Sequence, residues 1–162
     1  MSHTVLIPKY SHPEIERRWL VEPARIPSLA EVPRREIKDK YLDGGRLRLR
    51  VVRAPGAETK FKLGKKYGFV SNEAENVVSI YLEEAEYNSL SLLSGAVARK
   101  SRYAIAGGSL DVYEHPALSH AFFEVEFESA VAAASFCPPA FVGEEVTRNA
   151  QYSGFSLANR AL

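Results

Sequence analysis

The residues best equipped for chemistry stand two apart. Glu14 and Glu16, then Glu124, Glu126 and Glu128, are carboxylates at alternate positions. Arg46, Arg48 and Arg50, Lys60 and Lys62, and Lys100 and Arg102 are cations at the same spacing, and Lys66 keeps the parity of Lys60 and Lys62. Ile15, Leu47, Leu49, Phe61, Val125 and Phe127 fall between them. Two residues is the side-chain period of a β-strand, so each segment turns charge to one face and mostly apolar side chains to the other. A solvated face accounts for any one such strand. Surface strands usually mix signs, however, because like charges side by side repel. Here acids keep to some strands and bases to others. A curled sheet explains this, with opposite charges meeting across its interior.

Such a two-signed interior has a definite chemistry. Clustered carboxylates are hard oxygen ligands and suit Mg²⁺ or Mn²⁺ better than zinc. Clustered Arg and Lys suit phosphate, Arg through its planar fork and Lys as a point charge. A polyphosphate with its divalent metals needs both. Phosphoryl transfer is catalysed mainly by positioning and by stabilising charge, and this set of side chains supplies both. Asp111 is a further candidate for the metal, although an acid at a strand end is as often a salt-bridge residue.

The elements that must hold these groups are short. The first strand spans about 13–21, and Pro23, Pro27 and Pro33 make 22–34 irregular, with one helical turn near 28–32. Strands are expected over 36–42, 46–53 and 58–66, joined by turns at Asp43-Gly44-Gly45 and Ala54-Pro55-Gly56-Ala57. A loop over 68–75 leads to a strand at 76–81 and a helix at 82–94, with Glu83, Glu84 and Glu86 near its start and Gly95 as its stop. Strands at 98–106, 109–113 and 122–128 follow. Ser129 caps a short Ala-rich helix that ends before Pro138-Pro139, and 145–148 reads as a last piece of strand. Seven or eight short antiparallel strands with one main helix suggest an α+β chain built on a large sheet, which either exposes its charges or curls so that they line a lumen.

Composition bounds the partners. The 162 residues are 46% hydrophobic and 25% charged, proportions that support one globular domain over 1–162. With 21 basic and 20 acidic side chains the net charge is +1, so overall charge argues against nucleic acid and membrane as partners. The charge is nonetheless segregated: 34–66 holds twelve bases against four acids, and 111–145 holds seven acids and no Lys or Arg. The single cysteine, Cys137, excludes an internal disulfide and reads as a packing residue, and the four histidines lack metal-site spacing. No apolar run reaches a membrane span, and the first ten residues show no secretory pattern, so a cytoplasmic location is expected.

Taken in order, the segments resemble the CYTH superfamily, the triphosphate tunnel metalloenzymes. Glu14-Ile15-Glu16-Arg17-Arg18-Trp19 is similar to the ExExK opening strand, with Arg18 in the place of its Lys. Leu47-Arg48-Leu49-Arg50 and Lys62-Leu63-Gly64-Lys65-Lys66 resemble later strands, as do Lys100-Ser101-Arg102-Tyr103, Leu110-Asp111-Val112-Tyr113 and Phe123-Glu124-Val125-Glu126-Phe127. Glu145-Val146-Thr147 is similar to the closing segment. The resemblance implies an eight-stranded antiparallel barrel with a charged lumen and a few helices packed outside, a tunnel open at both ends that holds a triphosphate and one or two Mg²⁺ or Mn²⁺ ions. Glu14, Glu16, Glu124 and Glu126 would be metal ligands, with Asp111 added. Arg48, Arg50, Lys62, Lys66, Lys100 and Arg102 would grip phosphate oxygens, and Glu14, Glu16 and Arg18 would be the catalytic set. The implied activity is hydrolysis of triphosphates, inorganic triphosphate first. Thiamine triphosphatase, class IV adenylate cyclase and a non-catalytic triphosphate binder are the alternatives, in a monomer or homodimer. Arg18 keeps the charge of the motif's Lys but cannot shuttle a proton. Val77-Val78-Ser79-Ile80 stands where many members carry a further E-x-E pair.

Overall fold

The period-two segments form eight strands in the computed structural model, which describes residues 7–69 and 74–160. They are β1 (His12–Val21), β2 (Arg34–Leu42), β3 (Leu47–Arg53), β4 (Lys60–Phe69), β5 (Glu75–Leu82), β6 (Gly95–Ile105), β7 (Gly108–His115) and β8 (Ala121–Phe127). Every neighbour pair is antiparallel, and the sheet closes on itself in the order β1-β5-β4-β3-β2-β6-β7-β8. Closure removes the unpaired sheet edge, and eight strands leave an interior able to hold one small ligand. Three short helices, α1 (Glu84–Leu90), α2 (Ala130–Ser135) and α3 (Gly154–Asn159), lie outside the closed sheet. None of the described helices is long and apolar enough to cross a membrane.

Cross-strand register fixes which side chains share the lumen, because directly paired residues point to the same face. Glu16 pairs with Glu126 and Arg18 with Glu124, Asp39 with Arg50, Arg50 with Lys62, and Arg102 with Asp111. The lumen therefore takes the even positions of β1, β3, β4, β6 and β8 and the odd positions of β2, β5 and β7. On the outward parity, Trp19, Val21, Leu110, Phe123 and Val125 are buried under the chain that follows β8, with Phe136 and Phe141 packed against them. Arg17 ties that cover down. Its guanidinium donates to Glu145 and to the carbonyls of Ala133 and Phe136.

One end of the barrel is covered. Tyr41, Ala96, Ala98, Tyr113 and Phe122, all on the lumen parity, pack with Val146, Tyr152, Leu157 and Ala158 from the last part of the chain. Gly154 lies so close to the Tyr41 hydroxyl that a Cβ there would overlap it, which is why α3 begins on a glycine. The tunnel expected to be open at both ends is thus closed at one, because apolar side chains at that end of the strands need a partner to bury them.

Local differences have local causes. Leu82 completes β5, and Glu83 caps α1 in a reciprocal capping box with Glu86, so the helix starts two residues later than expected and ends at Leu90. Gly95 opens β6 and does not stop the helix. The turn near 28–32 is a single bond from the Val32 amide to the Leu29 carbonyl, whereas Pro23–Arg25 forms a 3₁₀ turn with proline at its start. The last strand piece reduces to one bridge, Trp19 to Glu145. Of the loop expected over 68–75, residues 70–73 lie outside the described residues, as do 1–6 of the first ten.

Candidate functional site

Carboxylates from β1 and β8 meet inside the barrel. Ligand oxygens of Glu14, Glu16 and Glu126 lie within 4.8 Å of one another. Burial pushes the Glu16 carboxyl up to about 8, and Glu124 and Glu14 add to this, while Lys66 and Arg18 oppose it only in part. These are hard oxygen donors crowded together and short of countercharge, a set that fits Mg²⁺ or Mn²⁺. Beside them the Lys66 ammonium donates to Glu14 and lies 3.5 Å from Glu75. Burial alone would lower Lys66, but Glu14, Glu16 and Glu75 outweigh it and push the group up to about 12.

Two walls of the lumen carry the cations, each around a buried aspartate. On β3 and its neighbour β2, Arg50 donates from Nε and Nη2 to the two oxygens of Asp39, at 2.6 and 2.8 Å. Arg48 Nε lies 3.9 Å from the same carboxylate and is buried, without a hydrogen-bond partner among the described residues. On β4, Lys62 lies over the Tyr81 ring, 4.8 Å from its centroid, with no ion pair among the described residues. On β6 and β7, Arg102 donates from Nε and Nη2 to the two oxygens of Asp111, at 2.6 and 2.7 Å, and Lys100 donates to Asp111 as well. Asp39 is 3% exposed and Asp111 0%. Burial by itself would raise both acids. Arg50, with Arg48, holds Asp39 at about 2 instead, and Lys100 and Arg102 hold Asp111 lower still.

Glu124 joins the second wall. It accepts from Arg102 Nη2 at 2.6 Å and lies 3.0 Å from Arg18 Nε. Burial and Asp111 act to raise it, but Arg18, Arg102 and Lys100 leave its carboxyl below the usual range. Arg18 is 7% exposed, sits 3.9 Å from the Phe122 ring centroid, and donates to the Tyr152 carbonyl, so it links the lumen to the chain covering the barrel end. Its Nη2 is buried and without a hydrogen-bond partner among the described residues.

A cavity of about 1180 Å³ takes in the acid cluster and the cations of both walls, with Arg46 and Ser79 also on its lining. The structure thus brings Glu14, Glu16 and Glu126 together with Lys66, places Glu124 and Asp111 among cations, and sets Arg48, Arg50 and Lys62 along an adjoining wall. Glu145 lies outside, held by Arg17. The lumen positions of β5 after Glu75 are Val77, Ser79 and Tyr81, with no acid among them.

Two lumen acids went unrecognised in the sequence. Glu75 falls within the span that reads as a loop, yet it opens β5, and Val77 and Ser79 continue its parity. Asp39 sits between Ile37 and Tyr41, on the apolar parity of a strand whose Glu36, Lys38 and Lys40 face outward. The signal was there: one acid on the face that otherwise reads as core.

No family model matches the chain, and no curated protein sequence does. Solved structures do. Two structures of NE1496, one described as a hypothetical protein and the other as an inorganic triphosphatase, are 29% identical to this chain. They cover 90% of it and 96% and 93% of their own chains, with TM-scores of 0.57 and 0.56. PH1819 from Pyrococcus horikoshii OT3 is 15% identical over 75% of this chain and 82% of its own, with a TM-score of 0.52, a likeness of fold alone.

Proposed function

Because the chain has the CYTH-type tunnel fold, we propose that it is a divalent-metal-dependent triphosphatase whose substrate is inorganic triphosphate. The observation that carries this reading is the division of one lumen into an acid cluster at Glu14, Glu16 and Glu126 and cationic walls at Arg48, Arg50, Lys62, Lys100 and Arg102. The similarity to NE1496, described as an inorganic triphosphatase, supports it.

Glu14, Glu16 and Glu126 would hold Mg²⁺ or Mn²⁺, which when bound neutralises phosphate charge and favours attack by water. The chain's own side chains do the rest. Arg48, Arg50 and Lys62 engage phosphoryl oxygens from one wall, Lys100 and Arg102 from the other, and Lys66 balances the acids next to them. Water adds to the terminal phosphorus and the bridging P–O bond breaks. Phosphate and pyrophosphate result, and the negative charge gathered on the leaving pyrophosphate is met by fixed cations that need not reorganise. Arg18 keeps its proton throughout. Its part is to hold Glu124 and the Tyr152 carbonyl.

Phosphate release from tripolyphosphate with Mg²⁺ or Mn²⁺ tests the reading. Turnover that is lost in Glu14→Ala/Glu16→Ala supports it; equal signals from both proteins would end it. A second reading, a non-catalytic triphosphate binder, draws on the absence of acids at Val77, Ser79 and Tyr81 and on Arg18 in place of Lys. It predicts tripolyphosphate binding by calorimetry with no turnover, and none restored by Arg18→Lys.

A further inference from the structure

Asp39 and Asp111 occupy equivalent places on two walls of the lumen. Each lies on a strand directly paired with the one bearing its arginine, Asp39 opposite Arg50 and Asp111 opposite Arg102. Each takes the Nε and Nη2 edge of that guanidinium in a two-bond fork and approaches a second cation, Arg48 or Lys100. Neither Arg50 nor Arg102 uses Nη1 in a hydrogen bond to a described residue, so that end of each fork is left to the cavity. Both oxygens of Asp111 are engaged, one by Arg102 and the other by Arg102 and Lys100, and the residue is fully buried. A metal ion at Asp111 would have to displace two cations from a dry site.

We propose that Asp39 and Asp111 are positioning residues for the triphosphate: Asp39 locks Arg50, and Asp111 locks Arg102 and Lys100, in the orientation in which these cations meet phosphoryl oxygens, and neither aspartate binds metal. The proposal rests on the triphosphatase reading, since it concerns what the cations are aimed at. A long cationic side chain free to rotate still attracts an anion but meets the transition state with poorer geometry. Fixing it by a bidentate acid removes that loss and also cancels charge, so that several cations can share one lumen. The acid thus trades attraction for aim. Removing it should spare binding of the ground state and impair the chemical step.

The experiment compares wild type, Asp39→Asn and Asp111→Asn in three measurements. In ¹⁵N spectra of the free protein, wild type should show exchange-protected Nε–H signals for Arg50 and Arg102. Asp39→Asn should lose the first only, Asp111→Asn the second only. Metal-free calorimetry should give tripolyphosphate affinities within about threefold of wild type, while kcat falls by up to about 100-fold, the scale expected for a misplaced group. Mn²⁺ affinity should be unchanged in Asp111→Asn. Should either variant destabilise the fold, Asp39→Asn is tested again on Arg50→Gln, where it should lower kcat no further. Retained protection of both signals, a tenfold loss of Mn²⁺ affinity in Asp111→Asn, unchanged kcat in both variants, or additive effects in the double variant would overturn the proposal. A wild type that binds tripolyphosphate but never hydrolyses it removes the triphosphatase reading instead, and the spectra still decide whether the aspartates lock the forks.

Discussion

Arg50 and Asp39 face each other on directly paired positions of β3 and β2 and join by two parallel hydrogen bonds, Nε to Oδ1 at 2.6 Å and Nη2 to Oδ2 at 2.8 Å. Arg102 and Asp111 repeat the arrangement between β6 and β7. In both pairs a strand register brings the partners together, and burial strengthens an interaction that would count for little at the surface. The consequences can be measured.

Acid should unfold the protein through these two carboxylates. Asp39 moves from the usual 3.8 to about 2 on folding, and Asp111 moves further in the same direction. A depressed acid contributes stability that is complete above its unfolded value and is lost as pH falls through its folded one. Asp39 alone should supply about 2 kcal/mol, present at pH 5 and declining from about pH 4 downward. Urea unfolding between pH 7 and pH 2.5 measures it, and Asp39→Asn should flatten the acid limb. A curve as steep in the variant as in wild type would exclude Asp39 as the source.

Metal binding should expel a proton. With Glu16 raised from 4.5 to about 8 by burial, Glu124 and Glu14, the free protein carries that proton at pH 7 and has shed it by pH 9. A divalent cation needs the carboxylate, so calorimetry in buffers of different ionisation enthalpy should report release of about one proton per Mn²⁺ at pH 7 and almost none at pH 9. Glu16→Gln should abolish the difference. Heats that are independent of buffer would place the metal elsewhere.

Lys62 and Arg17 make a sharp contrast on the two faces of the sheet. Lys62 lies on the lumen parity of β4 with no ion pair among the described residues, whereas Arg17 lies on the outward parity of β1 and bonds Glu145 and the Ala133 carbonyl of α2. Loss of one charge-assisted contact to phosphate should raise the KM for tripolyphosphate about tenfold in Lys62→Ala. Arg17→Ala should lower thermal stability and leave KM as it was. Equal KM values for Lys62→Ala and wild type would remove Lys62 from the phosphate wall.

The covered barrel end should be a point of stability. Leu157 is fully buried against lumen-side aromatic and alanine side chains, so Leu157→Ala should cost about 2–5 kcal/mol in denaturant unfolding. Val131, well exposed on α2, is the control, and Val131→Ala should change stability by less than about 0.5 kcal/mol. Similar values for the two variants would mean that the last helix does not seal the barrel.

Much of this was legible in the sequence. Alternation of charged and apolar residues depends only on the geometry of an extended chain, so it announced the strands, their lumen face and the segregation of acids from bases before any contact was known. Sorting of charge by sign onto separate strands favours a sheet that curls over one that exposes its ionic face, and the ordered resemblance adds the count of eight strands. The structure decided the pairings. Which acid neutralises which base depends on register and on the barrel's closure, which bring Glu14, Glu16 and Glu126 together and leave Glu124 and Asp111 to the cations. Asp39 is not legible as a lumen residue because β2 reverses the rule, carrying charge outside and its one lumen acid among apolar neighbours. Covering of one barrel end is equally hidden, since nothing in the sequence around Leu157 and Ala158 says that they pack beside Tyr41, Tyr113 and Phe122. Periodicity is a local property and survives in one dimension; ion pairing and burial arise between segments distant along the chain, and only the folded arrangement sets those distances.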